Sequence, residues 1–403
     1  MKFKIIALIN LLLFTASLFA NSIFSFYGMP VRTYGIDSYG MGMGKSGISD
    51  IFRVNTSYLN PSLMSTSSRI TISTSASFGF VKYSDNNNSF RDNVLYFPYF
   101  TLAVPIKNHK LGFSFNSILA GNLKTQQDFV YTDEDDNTFD YTEIHKIDSN
   151  IFETSALYAF KNKFVNLGIS GNIYLGHNIK YHKIDFEADY FNDATYEHEE
   201  DLKNFGYGLG MNRKVGDFSL ALAYKSSSEL YGDVINRFNF TPGADTLETN
   251  KENLFEIPEL YAAGITFRHN VYKISAESVF EKWSNPSFNK TFKYSLGFAY
   301  DPVLGYGTWI DNIPARLGVS YSLLPFKVNS EDIYEKTITA GISIPLHIGE
   351  KLDVTISYSK RGDKGLNGAQ DDSIMMNIGI NAFDIFTKRH RRTAPRDIPE
   401  KDM

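Results

Sequence analysis

Chemistry-bearing side chains are sparse in this chain. Its 403 residues include eight histidines and no cysteine, which removes thiolate nucleophiles, thiolate metal sites and disulfides. His177, His182 and His198 fall in one stretch with Glu197, Glu199, Glu200 and Asp201. Imidazoles and carboxylates are metal ligands, but these lack the spacing of a metal motif, so neither a metal site nor a cofactor is expected. No serine stands beside a histidine as an activated nucleophile requires; no catalytic residue is expected, and the chain reads as a non-enzyme. The acidic runs, Asp133 to Asp136 being the other, admit two readings. They could hold calcium or bridge to lipopolysaccharide, or they are a face kept in water, the commoner use of like charges. A formal charge of −5, from 45 acidic and 40 basic residues, leaves no footprint for nucleic acid.

The elements that carry these residues follow from periodicity. Lys2 and Lys4 precede an apolar run over residues 5–14, and Ala20 precedes a plausible cut, so residues 1–20 read as a secretory signal peptide, too short to span a bilayer. From residue 70 the chain alternates strictly. Ile70, Ile72, Ala76, Phe78 and Phe80 point one way, Thr71, Ser73, Ser75 and Ser77 the other. The same beat recurs around Leu111 to Asn116, Val165 to Ile173, Phe205 to Met211, Phe218 to Tyr224, Leu352 to Ser359 and Ile374 to Asn381. Further strands are expected over 93–104, 151–160, 258–268, 271–282, 291–300, 313–322 and 333–344. Fourteen such strands, an even number, predict an all-β protein, a transmembrane antiparallel β-barrel over residues 70–384. Lipid offers backbone groups no water, so a chain without long apolar helices spans only as a closed sheet. Aromatics at 15% and 29 glycines fit interfacial girdles and crowded strands.

Connector lengths alternate as well. Short links at 105–110, 161–163, 213–217 and 346–350 alternate with long ones near 119–148, 176–203 and 226–256, the twelve-residue link around Pro302 being an exception. Short turns belong to the periplasm and long loops outside, which places both chain ends in the periplasm of an outer-membrane protein. In the long loops Phe129, Tyr131, Phe186, Tyr190, Phe191, Phe238 and Phe240 are candidate groups for capturing a hydrophobic ligand, with packing of the loops over the mouth as the equal alternative.

Residues 21–69 do not follow the barrel rhythm, while the inward faces are rich in Gly, Ser, Thr and Asn and leave room. An N-terminal plug inside the lumen answers both facts. On the strand 271–282, Lys273, Glu277 and Glu281 share a face opposite Ile274, Ala276 and Phe280, so they are expected in the lumen, where buried charges need partners. Arg32, Lys45, Asp50 and Arg53 of the plug could supply them.

The run SYGMGMGKSGISDIFRVNTSYLNPSLMS (38–65) resembles the hatch segment of FadL-type outer-membrane transporters, with its small residues followed by an Asn-Pro-Ala element. IPELYAAGITFRHNVYKISAESVFEKWS (257–284), IPARLGVSYS (313–322) and EKTITAGISIPL (335–346) resemble that family's later strands. The resemblance implies a fourteen-stranded barrel with a hatch, passing long-chain fatty acids or hydrocarbons inward without energy coupling. Only Asn60, Pro61 and Ser62 carry over as the hatch motif, Ser62 replacing the usual Ala. The chain departs at its end, where residues 385–403 form a basic tail with Lys388, Arg389, Arg391, Arg392 and Arg396. It is similar there to FadL-like relatives that serve as secretion-machinery subunits, so a scaffold with a periplasmic partner held through the tail stands as the second reading. Expected partners are thus a hydrophobic small molecule, outer-membrane lipid or lipopolysaccharide, and that periplasmic protein.

Overall fold

A computed structural model describes residues 22, 24, 31–132, 136–187, 192–239, 245–286, 288–302, 311–347 and 350–384. The signal segment, most of the residues up to 30 and the basic tail lie outside the described residues.

Alternation of side chains produces a single antiparallel sheet. After a two-residue β1 (Val31–Arg32) come β2 (Thr71–Asp85), β3 (Ser89–Ile106), β4 (His109–Thr132), β5 (Thr138–Phe160), β6 (Asn166–Phe186) and β7 (Ala194–Val215). Next are β8 (Phe218–Lys225), β9 (Ser228–Asn239), β10 (Asp245–Ile257), β11 (Glu259–His269), β12 (Tyr272–Lys282) and β13 (Thr291–Tyr300). The sheet ends with β14 (Ala315–Val328), β15 (Glu331–His347), β16 (Glu350–Asp363) and β17 (Ala369–Asp384). β17 pairs with β2 from Ala369 opposite Asp85 to Asp384 opposite Thr71, which closes the barrel. β8 and β9 form one wall strand broken at Ser226, and β10 and β11 another broken at Pro258, whose missing N–H interrupts the ladder. The wall therefore has fourteen strands.

Burial is inverted relative to a water-soluble protein. Leu167, Ile169, Leu209, Leu222, Leu296, Leu317, Ile338 and Ile356 are exposed on the outer face, while Ser155, Asn172, Asn212, Thr266, Ser275, Thr339 and Asn377 are buried inside. Each strand thus offers apolar groups to lipid and hydrogen-bonding groups to the lumen. Among the described residues no helix is long and apolar enough to cross a membrane.

Two expectations need correction. The stretches near 119–148, 176–203 and 226–256 are not loops but mostly strand. β4, β5, β6 and β7 run 24, 23, 21 and 22 residues, and about ten cross a bilayer. Roughly a dozen residues of each, or about 40 Å of strand, stand beyond the membrane as an outer wall. Both faces of that wall meet water, so its polar alternation carries no apolar beat. The histidines of those stretches, expected in loops, are strand residues: His145 lies in β5, His177 and His182 in β6, His198 in β7.

The wall is also discontinuous. β3 and β4 pair only from Ile106 opposite His109 to Tyr99 opposite Asn116, and above that point they separate. The parting begins at Pro98, within an irregularity where β3 shifts register on β2; proline cannot donate to a ladder. β4 has its own irregularity against β5 at Ser117–Leu119. β1 lies on the freed edge of β4, Val31 opposite Ala120 and Arg32 opposite Leu119, and Thr33 N donates to Ile118 O at 2.8 Å.

Candidate functional site

The N-terminal segment occupies the lumen, with most residues from 35 to 65 buried and Met41, Lys45 and the run 51–54 half-buried. Its glycines are explained by contact distance. Gly44 has φ +71°, and a Cβ on the facing Gly318 would lie 2.0 Å from Gly44 N; one on Gly297 would lie 2.6 Å from Met43 O. Backbone meets backbone there, and only glycine on both sides permits it.

Beside this contact, the short helix Ser38–Met41 is capped by Asp37, whose Oδ1 accepts from Gly40 N at 2.9 Å. Arg53 bridges Asp37 (2.5 Å) and Asp50 (2.9 Å) within the segment. Asp50 then meets Lys273 of β12 at 2.9 Å, and Lys273 reaches Asp301 at 2.8 Å. The Tyr39 hydroxyl donates to Asp301 at 2.7 Å, and the Arg53, Lys273 and Arg316 cations lie 4.1 to 4.4 Å from its ring. Arg316 pairs with Asp353 at 2.9 Å, both side chains fully buried, and Ser38 Oγ donates to the same carboxylate.

The three lumen charges expected on β12 take different partners. Lys273 meets Asp50. Glu281 lies 3.0 Å from Arg32 Nε, a charge contact without hydrogen-bond alignment, and accepts from Thr291 at 2.7 Å. Glu277 receives three consecutive backbone N–H groups, from Gly47 (2.7 Å), Ile48 (2.8 Å) and Ser49 (3.2 Å). A charged side chain of the segment is the expected partner for Glu277, and a nest of backbone N–H groups takes its place, which no side-chain pattern announces. Lys45 pairs with Glu335 of β15 at 2.9 Å, and Glu335 is shared with Arg361.

Asn60, Pro61 and Ser62 begin a 3-10 turn over Pro61–Thr66 against β6 and β7. Asn60 Oδ1 accepts from Ser62 N (3.1 Å) and Ser62 Oγ (2.7 Å), while its Nδ2 donates to Ile48 O (3.0 Å). Gly168 and Gly210 leave the space, since a Cβ on either would lie within 2.3 Å of Ser62 or Asn60 atoms. Asn212 Nδ2 donates to Ser62 Oγ at 2.6 Å, a bond an alanine there could not accept.

Between segment and wall lies a cavity of 110 Å³. Ile36, Trp283 and Phe326 give it an apolar side, Arg32, Lys45 and Lys293 with Glu281 and Glu335 a charged one of both signs, and Tyr96 and Pro98 of β3 bring it to the break in the wall. Of the candidate capture groups, Phe129 and Tyr131 lie in β4, Phe186 in β6 and Phe238 in β9. They share the face of the outer wall continuous with the lumen: Phe129 stacks on Tyr141 at 5.5 Å, Tyr141 contacts Phe186 at 5.5 Å, Tyr131 stacks on Phe139, and Phe238 meets Tyr196 at 4.8 Å. Tyr190, Phe191 and Phe240 lie outside the described residues. Of the acidic runs, Glu197 and Glu199 form ion pairs with Arg237 on the outer side of the wall.

Comparison with known proteins places this architecture. A Pseudomonas aeruginosa FadL homologue superposes with TM-score 0.56 at 14% identity, covering 88% of this chain and 97% of that one. A monoaromatic hydrocarbon channel, CymD, gives 0.58 at 14%, covering 89% and 100%. The P. putida toluene transporter TodX gives 0.58 at 11%, covering 87% and 99%. At such identities the likeness is one of fold. No curated protein sequence matches the chain. The BamG family model, however, matches residues 1–391, nearly the whole length. With a FadL-type barrel and that match along its sequence, the chain belongs to the BamG family.

Proposed function

We propose that this protein resides in the bacterial outer membrane and admits hydrophobic molecules, long-chain fatty acids or hydrocarbons, passively past its N-terminal segment acting as a hatch. The observation that carries this reading is the parting of β3 from β4 beside a cavity that is apolar on one side and charged on the other. A hydrophobic solute cannot easily cross a lipopolysaccharide leaflet. It gathers on the aromatic face of the outer wall, enters the cavity, and leaves sideways into the bilayer where β1 now covers the edge of β4. Arg32 and Lys45 already face Glu281 and Glu335, which line the same cavity, so its apolar side carries the preference for a hydrophobic solute. Ligand sites usually span about 300–1,000 Å³, so the hatch must shift before a long chain fits.

The ion pairs that anchor the segment favour a second reading. Asp50 on Lys273, Lys45 on Glu335 and the nest on Glu277 fix a plug as readily as a gate, and the tall outer wall suits a scaffold. That scaffold would hold a periplasmic or secretion partner through residues 385–403.

A host unable to take up hydrophobic solutes separates the two. The intact chain is expected to restore uptake, and alanine at Asn60, Pro61 and Ser62 together to change its rate at equal membrane abundance. Restoration of no solute, with recovery of a periplasmic partner that depends on residues 385–403, would replace the channel by the scaffold.

A further inference from the structure

On the lumen-side face of the outer wall, His145 of β5 and His182 of β6 are direct cross-strand partners. Their rings stack with centroids 4.3 Å apart and planes 6° from parallel. Glu143, two residues along β5 and hence on the same face, brings Oε2 to 3.4 Å from His145 Nε2. His182 Nε2 is buried and has no hydrogen-bond partner. A buried imidazole nitrogen left unsatisfied is unusual and calls for an occupant.

We propose that Glu143, His145 and His182 bind a divalent transition-metal ion of the zinc class. One ligand atom from each of the three lies within 4.8 Å of the others. Tetrahedral zinc with bonds of about 2.0–2.1 Å needs ligand atoms roughly 3.4 Å apart, a closure from 4.8 Å of up to about 1.4 Å that side-chain rotation supplies as the two rings turn out of their stack. Two imidazoles with one carboxylate form a donor set for zinc, nickel or copper and a poor one for calcium or magnesium. Three protein ligands leave a fourth position open, and the pocket that His145 and His182 line is shared with Lys180 and Tyr196. His198 on the neighbouring strand is not a ligand, since its two nitrogens are engaged by Asn236 (2.6 Å) and Glu200 (2.8 Å). Spacing along the chain conceals the site, because its two histidines meet only through strand register.

The full chain in detergent, stripped of metal, is titrated with Co²⁺, followed by its visible absorption, and then with Zn²⁺ in competition. One equivalent is expected to bind with tetrahedral or five-coordinate bands that zinc abolishes. His182→Ala and His145→Ala should each weaken binding at least about 100-fold, the upper end of what loss of a mere supporting group costs, while His198→Ala leaves it intact. Unheated samples of every variant should keep the gel mobility of the folded barrel. Absence of the bands in the intact chain, or equal binding by His182→Ala, would overturn the site.

Discussion

Valine in place of Gly318 is expected to expel the N-terminal segment from the lumen without unfolding the barrel. A single Cβ at this position would sit 2.0 Å from Gly44 N and 2.3 Å from Met43 C, both backbone atoms that no rotamer change can move. On the wall itself β14 tolerates a branched residue, because strands favour them and each wall strand is held by two neighbours. The conflict is therefore resolved by displacement of the segment. Limited proteolysis should cut within residues 31–70 in Gly318→Val and spare them in the unaltered protein, both retaining heat-modifiable gel mobility. Gly171→Ala is the matched control, since a Cβ there meets nothing within 4 Å. Protection of the segment in Gly318→Val would show that it does not lie against β14.

Glu277→Ala should act from the opposite side of the lumen. It leaves three N–H groups of Gly47, Ile48 and Ser49 without an acceptor, while the Ser49 hydroxyl, which donates to the same carboxylate at 3.1 Å, keeps Thr266 Oγ1 at 2.8 Å. Each orphaned buried donor costs about 1–3 kcal/mol, so several kcal/mol of docking are lost even if water repairs part of the nest. Glu277→Gln retains an acceptor and should fall between. Hydrogen exchange read at residues 47–49 provides the measurement, with protection expected to fall steeply in Glu277→Ala and modestly in Glu277→Gln. Equal protection in all three would mean that the nest does not hold the segment.

Much of the fold is legible in the chain because period-two alternation survives wherever one face meets lipid. Phe205, Tyr207, Leu209 and Met211 against Gly206, Gly208 and Gly210 identify β7 without help from any other strand. The same rule fails where the contrast between faces vanishes. Residues 194–204 carry Tyr196, Glu197, His198, Glu199 and Glu200 on alternating sides, both of them wet, and read as loop although they continue β7. Opposite charges in the N-terminal segment and on β12 pointed to contacts between them, yet which charge meets which depends on a path through the lumen that no local pattern encodes. Glu277 takes backbone donors, and Lys45 crosses to Glu335 of β15. Pro98 was a visible signal of the parting between β3 and β4, but a proline within a strand marks an edge without saying what lies against it.

The central claim, that movement of the N-terminal segment admits the solute, is open to a direct test because the chain has no cysteine of its own. Ser49 Oγ of the segment and Thr266 Oγ1 of β11 lie 2.8 Å apart, close enough for a disulfide when both become cysteine. Uptake of a radiolabelled long-chain fatty acid by cells carrying Ser49→Cys with Thr266→Cys is measured with the pair oxidised and again after reduction. The account predicts uptake near the unaltered rate when reduced and a clear fall when the tether is closed, since a gating element that cannot move limits the rate. Equal uptake in the two states, with the tether shown to be formed, would contradict it.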